Sequence, residues 1–384
     1  MVGGIGMSRT HARTGAERTL NLLAGQVGRT LDEIETPTVV LDLDRLEANL
    51  KDLQSYADQH DIELWPHTKT HKSPEIGLMQ LDYGARGLAV AKTGEAQVFH
   101  EAGARALLLH YPPFGRDKWE RLAELVAEGT DLTVAVDSIA PAEGLSDTLS
   151  RRGLSASVLV ELDLGLHRTG QTTAEGAVAL GKELSRLPSL EVVGISGYPG
   201  HCRGDAETIR SRLAASDAFL RETRDAFLAA GIPCDRISGG STPTRYLTHD
   251  TCVNELRAGT YSLLDRTDGT AETSALRVEV TVISDAVPEQ IIIDAGSKTF
   301  TSDDHPDGGH GTVVGWPHLN LHMLNEEHGY VDVSSSSERP AIGDRLHIVP
   351  NHACGCVNLH DGVLAVRGGV VDHVIEVSAR GLVR

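Results

Sequence analysis

The chain has 384 residues, enough for two domains with full cores, and carries a net charge of −19. That charge argues against a nucleic-acid or membrane-surface partner and for a well-solvated protein. Five cysteines, odd in number and sparse, fit a reducing, cytoplasmic setting better than a disulfide framework, and no apolar run approaches the length of a membrane span.

Residues 1–35 carry Arg9, Arg13, Arg18 and Arg29 but lack the apolar core of a secretory signal, so they read as a tail rather than a leader. Thr38–Leu43 then reads as a buried strand, and Asp44 with Glu47 makes a capping-box-like helix start before Leu46, Leu50, Leu53 and Ala57. The alternation continues. Apolar strand-like runs lie at Glu63–Thr70, Gly87–Lys92, Ala106–Tyr111, Thr133–Ser138, Ser157–Asp163, Val192–Tyr198 and Cys234–Gly240, with amphipathic helical segments between them. Together with Thr38–Leu43 these make eight strands alternating with helices, which most simply close into a parallel (β/α)8 barrel over residues 36–266. A doubly wound open sheet is the alternative, but no GxGxxG turn follows the first strand. Beyond residue 266 the pattern changes. Arg277–Val287, Gln290–Asp294 and Leu346–Pro350 read as strands, and Val363–Val377 as a hairpin turned at Gly368-Gly369. Residues 267–384 are therefore expected to form a second, mostly antiparallel β domain, which the tail joins.

A barrel places chemistry at the C-terminal ends of its strands. The expected second strand ends in Pro66-His67-Thr68-Lys69-Thr70-His71-Lys72. Arginine stays protonated, whereas a partly desolvated lysine can lose its proton and form a Schiff base with an aldehyde, so Lys69 is the candidate anchor for pyridoxal 5'-phosphate. Alone, the run also fits a solvated basic turn. The expected eighth strand ends in Ser238-Gly239-Gly240-Ser241-Thr242, where glycines let backbone N–H groups approach a phosphate and two hydroxyls add hydrogen bonds. The run Glu255–Tyr261, with Gly259, Thr260 and Tyr261, can add phosphate contacts. Arg168 offers a cation to the phenolic oxygen of the cofactor, and Tyr198 an aromatic beside its ring. In the second domain, His352-Ala353-Cys354 places two candidate ligands two residues apart, which in an extended segment point to one side and can reach one metal ion; by spacing alone the pair reads more readily as a hydrogen-bonded core histidine and a small buried cysteine. A thiolate with an imidazole favours zinc, and two protein ligands leave positions open for water or substrate.

These motifs, in this order, resemble the fold-type III pyridoxal-phosphate enzymes, and more narrowly the D-serine dehydratase and D-threonine aldolase branch related to alanine racemase. The likeness runs from about Glu35 to Arg384. It implies Lys69 as the Schiff-base lysine, Arg168 as a cofactor contact, Gly239, Gly240, Ser241 and Thr242 at the phosphate with Gly259 and Thr260 assisting, and Tyr198 beside the ring. It places the metal pair at His352 and Cys354, with manganese or magnesium as alternatives to zinc, and leaves Cys356 unassigned. Glu326-Glu327-His328-Gly329 resembles a family loop near the site, with His328 as an acid or base. The resemblance implies a homodimer and a β-hydroxy-D-amino acid substrate. His352-x-Cys354 leans toward a dehydratase giving an α-keto acid and ammonia, while Val357–Gly362 resembles the aldolase side, which cleaves to glycine and an aldehyde. A barrel relative that binds the cofactor without catalysis is a third reading, against which the β domain counts.

Overall fold

The computed structural model describes residues 15–384; Arg9 and Arg13 of the tail lie outside the described residues. Strand β1 is Thr38–Asp42, and eight strands follow: β2 (Glu63–Leu64), β3 (Leu88–Val90), β4 (Ala106–Leu109), β5 (Asp131–Val136), β6 (Ala156–Leu162), β7 (Leu190–Gly197), β8 (Arg236–Gly239) and β9 (Glu255–Leu256). Strands β2 to β9 form one parallel sheet in the order β2-β9-β8-β7-β6-β5-β4-β3. Its two ends meet, because Arg86 N–H donates to Leu64 O at 2.9 Å, Ala89 N–H to Pro66 O at 2.8 Å, and His67 bridges Ala89 in parallel. The barrel is thus closed by eight strands.

The first of them is not the expected one. Thr38–Asp42 leaves the barrel and pairs antiparallel with Leu276–Ser284 (Thr38 opposite Glu279) and parallel with Gly362–Arg367 (Val40 opposite Leu364). A strand buried along its length carries no mark of which sheet it joins. The two-residue strand Glu255–Leu256, too short to show a period, takes the eighth place. Lys69 therefore follows the first barrel strand, and Ser238–Thr242 the seventh.

The second sheet comprises β1 with β10 (Leu276–Ser284), β11 (Gln290–Ile293), β12 (Gly311–Val313), β13 (Asn320–Leu324), β14 (Gly329–Asp332), β15 (Arg345–Pro350), β16 (Gly362–Arg367) and β17 (Val370–Glu376). Its main order is β13-β14-β11-β10-β1-β16-β17, with β15 also on β10 and β12 on β15. All contacts are antiparallel except β1 on β16. The helix Gly15–Ala24 precedes a stretch that runs along β17, where Gly28 N–H donates to Val371 O at 2.9 Å and Val371 N–H to Arg29 O at 2.9 Å.

The helix Leu43–Gln59 couples the two units. Its cap is Asp42, whose carboxylate accepts from Arg45 N–H at 3.1 Å. The expected capping pair does other work: Asp44 and Glu47 grip Arg367 of β16. Leu46, Leu50 and Leu53 are buried at helical spacing in one apolar cluster with Leu64 and Leu256 of the barrel and Val278 and Ile348 of the antiparallel sheet. A core that spans both sheets resists hinge motion between them, since separating them exposes this apolar surface to water.

Candidate active site

Lys69 sits in a single turn of 3-10 helix, Thr68–Thr70, at the mouth of the barrel. The turn is fixed from several directions. His67 Nδ1 accepts from Lys69 N–H at 3.4 Å, and Thr68 Oγ1 lies 2.9 Å from a carboxylate oxygen of the buried Glu95. Lys72 closes the turn in the left-handed region (φ +49°), and its carbonyl accepts from Ala379 N–H at 3.0 Å, so the C-terminal segment helps to hold it. Lys69 Nζ lies 5.3 Å from the centroid of the Tyr198 ring, and the Arg168 guanidinium 5.0 Å from the same centroid. Both groups are within cation–π range of the same aromatic ring.

These three side chains open onto a cavity of about 330 Å³ at the C-terminal ends of the strands, with Ser241, Thr242, Gly259 and Thr260 on its wall. A Cβ on Gly259 would meet Thr70 Oγ1 at 2.9 Å and His67 O at 3.0 Å, so only glycine lets the chain pass there. Gly240 adopts φ +78° and its missing Cβ would lie 2.4 Å from Leu256. Glycine backbone and paired hydroxyls at a barrel mouth, after strands seven and eight, fit a phosphate group.

The remaining expected phosphate residues stand behind that wall. Ser238 Oγ accepts from Arg257 Nη1 at 3.0 Å, and the Tyr261 hydroxyl accepts from Gln80 Nε2 at 3.1 Å. Gly239, packed on Val253, Gly240, packed on Leu256, and Tyr261 do not line the cavity; the Tyr261 N–H instead donates to Thr242 Oγ1 at 3.1 Å and sets that hydroxyl.

The floor of the cavity escaped the sequence reading. His110 Nε2 lies 2.8 Å from the Glu161 carboxylate, which Ser196 also bonds, and Arg257 donates to Gly197 O at 2.9 Å. Burial alone would push the Glu161 carboxyl up, but His110 and Arg257 outweigh it and hold it below its usual range. Burial pushes His110 down, with Arg257 adding to it, and burial with Lys69 pushes His67 well down. Burial thus disfavours the charged form of both imidazoles, and guanidinium groups supply positive charge to an anionic occupant. Arg257 fell inside the run expected to add phosphate contacts and His67 inside the lysine motif, but Glu161 and His110 had no sequence signal. Their partners are dozens of residues away.

The second domain closes on this mouth. Cys354 Sγ lies 3.3 Å from Thr70 Oγ1 and 3.9 Å from Thr260 Oγ1. The expected extended geometry is replaced: His352 is the N-cap of a short helix, Ala353–Val357, and Cys354 lies in its first turn. His352 lines an adjoining cavity of about 330 Å³ that shares Thr260, Arg203 and Asp268 with the first. Hydrogen bonding to Cys354 lifts the His352 imidazole to about 9. Burial pushes the Cys354 thiol up, but His352, Thr70 and Lys69 overcome it and bring the thiol below its usual range. Such a pair exchanges its proton readily for a soft divalent ion. No cluster of three or more His, Cys, Asp or Glu able to hold a metal ion occurs among the described residues.

Cys356 is excluded from that role. It is buried, its thiol is pushed up to about 12 by burial, and it lies 3.3 Å from Thr299 O. His328 is not brought to the site within one chain: it lies exposed in the turn joining β13 to β14, its carbonyl accepting from Asn325 N–H at 2.9 Å.

A closed parallel barrel with a mouth lysine, a glycine–hydroxyl cradle and an antiparallel lid domain defines a class of pyridoxal-phosphate proteins. Comparison with known proteins agrees. Residues 41–266 match the alanine racemase N-terminal domain, and residues 275–366 the putative serine dehydratase domain. The chain is 37% identical over 376 residues to a D-threonine aldolase of an Arthrobacter species, covering 94% of this chain and 96% of that one. The crystal structure of D-threonine aldolase from Filomicrobium marinum superposes with a TM-score of 0.87 at 30% identity, over 94% of this chain and all of that one. A cysteine-to-alanine variant of D-threo-3-hydroxyaspartate dehydratase, solved in its metal-free form, superposes with a TM-score of 0.83 at 29% identity, over 90% and 98%. The chain belongs to this fold-type III pyridoxal-phosphate family and is an enzyme of its lyase branch.

Proposed function

We propose that the protein is a pyridoxal-phosphate- and metal-dependent lyase of β-hydroxy-D-amino acids, with the barrel of strands β2 to β9 serving the cofactor and residues 267–384 the metal. The observation that carries this reading is the junction of the two cavities at Thr260, Arg203 and Asp268. A substrate whose amino group is held near Lys69 directs its β-substituents toward His352 and Cys354.

Lys69 holds the cofactor, Ser241, Thr242, Gly259 and Thr260 its phosphate, and Arg168 and Tyr198 its ring. Bound pyridoxal phosphate supplies an electron sink for a bond broken at Cα, and a divalent ion on His352 and Cys354, zinc before manganese or magnesium, supplies a Lewis acid to the β-hydroxyl. The Lys69 amine moves the proton at Cα. Arg203, common to both cavities, is in place for a substrate carboxylate. His328 serves as acid or base only where another copy of the chain brings it to the mouth, so a homodimer is part of the reading.

Retro-aldol cleavage to glycine and an aldehyde is the outcome the site favours. Asp268 and Asp304 line the cavity beside His352, and carboxylates there accept the proton of a β-hydroxyl rather than donate one to a departing hydroxide. Similarity to D-threonine aldolases supports the same outcome. The second reading, dehydration to an α-keto acid and ammonia, is favoured by the cysteine of His352-x-Cys354. No helix among the described residues is long and apolar enough to cross a membrane, and we place the protein in the cytoplasm. The test is purified protein with D-threonine, D-serine and D-3-hydroxyaspartate, with and without chelator. Glycine with an aldehyde supports the aldolase, keto acid with ammonia the dehydratase. Turnover of none, with the yellow cofactor bound, leaves a binding protein and overturns the proposal.

A further inference from the structure

We propose that Asp303 is a positioning residue for the metal site: its carboxylate takes the Nδ1–H of His352 and leaves Nε2 as the nitrogen that binds the ion. This rests on the reading of His352 and Cys354 as metal ligands. Asp303 Oδ2 lies 2.9 Å from His352 Nδ1, although the two residues are 49 apart in sequence. An imidazole can turn about two side-chain bonds and offer either nitrogen, and a carboxylate on one nitrogen fixes both the ring and the tautomer.

The surroundings are built to keep this carboxylate where it is. Asn351, buried and adjacent to His352, donates from Nδ2 to the Asp303 carbonyl at 2.9 Å and to Gly309 O at 2.8 Å. Thr301, just before the aspartate, adopts φ +79° with ψ 176°, a conformation side-chain-bearing residues rarely hold unless their neighbours impose it. Its hydroxyl accepts from Asp303 N–H at 3.2 Å. Gly355, between the two cysteines, supplies an independent observation. A Cβ there would stand 2.9 Å from Asp303 Oδ2 and 2.7 Å from Thr301 Cγ2. The glycine of His-Ala-Cys-Gly thus makes room for a carboxylate arriving from another segment. An ordinary surface ion pair needs neither the glycine nor the Asn351 clamp.

The test uses the full-length protein loaded with cofactor, stripped of metal and titrated with zinc against a chromophoric chelator. The variants are Asp303→Ala, Asp303→Asn and Gly355→Ala. Asp303→Ala is expected to weaken zinc binding by about 10- to 100-fold, and Gly355→Ala to weaken it in the same direction by displacing the carboxylate. Asp303→Asn keeps an oxygen able to accept the same N–H and is expected to lose less. The cofactor absorbance and the melting temperature of the cofactor-loaded, zinc-free protein should match the parent in all three. Zinc affinity of Asp303→Ala within twofold of the parent overturns the proposal. So does a loss in Asp303→Asn as large as in Asp303→Ala, because charge rather than orientation would then be the cause. A parent protein that binds no zinc or other divalent ion overturns the His352–Cys354 reading itself, and this inference falls with it.

Discussion

The barrel mouth and the His352–Cys354 turn face each other across Thr70 and Thr260 but are held by different means. Around Lys69 the polar groups are buried and bonded to one another: Glu95 to Thr68, Glu161 to His110 and Ser196, Arg257 to Ser238 and Gly197. Around His352 they are half exposed, with 49% of the histidine side chain and 47% of Asp303 open, and they sit on a five-residue helix and irregular chain. On the proposed reading, the contrast is between a preformed cofactor cradle and a metal site that depends on a few aimed contacts. Perturbing the first should cost folding or all activity, and perturbing the second should cost metal affinity and turnover while the fold stays intact.

The largest effect is expected at Lys69. Lys69→Ala should lower turnover by at least about a thousandfold, the upper range of what one positioned proton-transfer group contributes, while thermal unfolding stays near the parent's. Retained turnover would make the mouth lysine dispensable and break the contrast. Next comes the shared core. Leu46 is fully buried between the two sheets, so Leu46→Ala should cost about 3 kcal/mol and lower one common unfolding transition in urea. Two separated transitions would show the sheets to be independent units.

On the metal side, Cys354→Ala should lower kcat by about a hundredfold, corresponding to about 2.7 kcal/mol of Lewis-acid stabilisation. Chelation of the parent should do the same, and zinc should restore the parent but not the variant. The smallest effect concerns His71, fully buried, whose imidazole burial pushes down to about 4. Its folded value lies below the unfolded one, so the unfolded chain binds the extra proton first. Stability is therefore full above pH 6.5 and is lost as pH falls toward 4. Between pH 6.5 and 5 the loss from this residue is about 2 kcal/mol. Urea melts of parent and His71→Gln at both pH values check this; an equal pH slope in the two would contradict it.

Alternation of apolar strands with amphipathic helices made the barrel legible because that signal is local, and the Gly-Gly-Ser-Thr run pointed to the mouth, where Ser241 and Thr242 line the cavity and Gly239 and Gly240 do not. Strand β1 was misplaced since Thr38-Val39-Val40-Leu41 is buried in either sheet, and its true partners lie more than 230 residues on. His352 and Cys354 were singled out by the family resemblance rather than by spacing alone, and they lie at the start of a short helix, not on a strand. Glu161, His110 and Asp303 were missed because each acts through a partner distant in sequence, which no single-chain periodicity reports. His328 resembled a site residue in sequence, yet its own chain leaves it exposed in a hairpin turn.

The central claim is that Lys69 carries the cofactor, and borohydride reduction followed by peptide mass mapping tests it most directly. Purified protein should yield one pyridoxyl-modified peptide, with the label on Lys69 and the absorbance of the bound cofactor lost on reduction. A label on Lys72, Lys92 or no lysine at all would contradict the account.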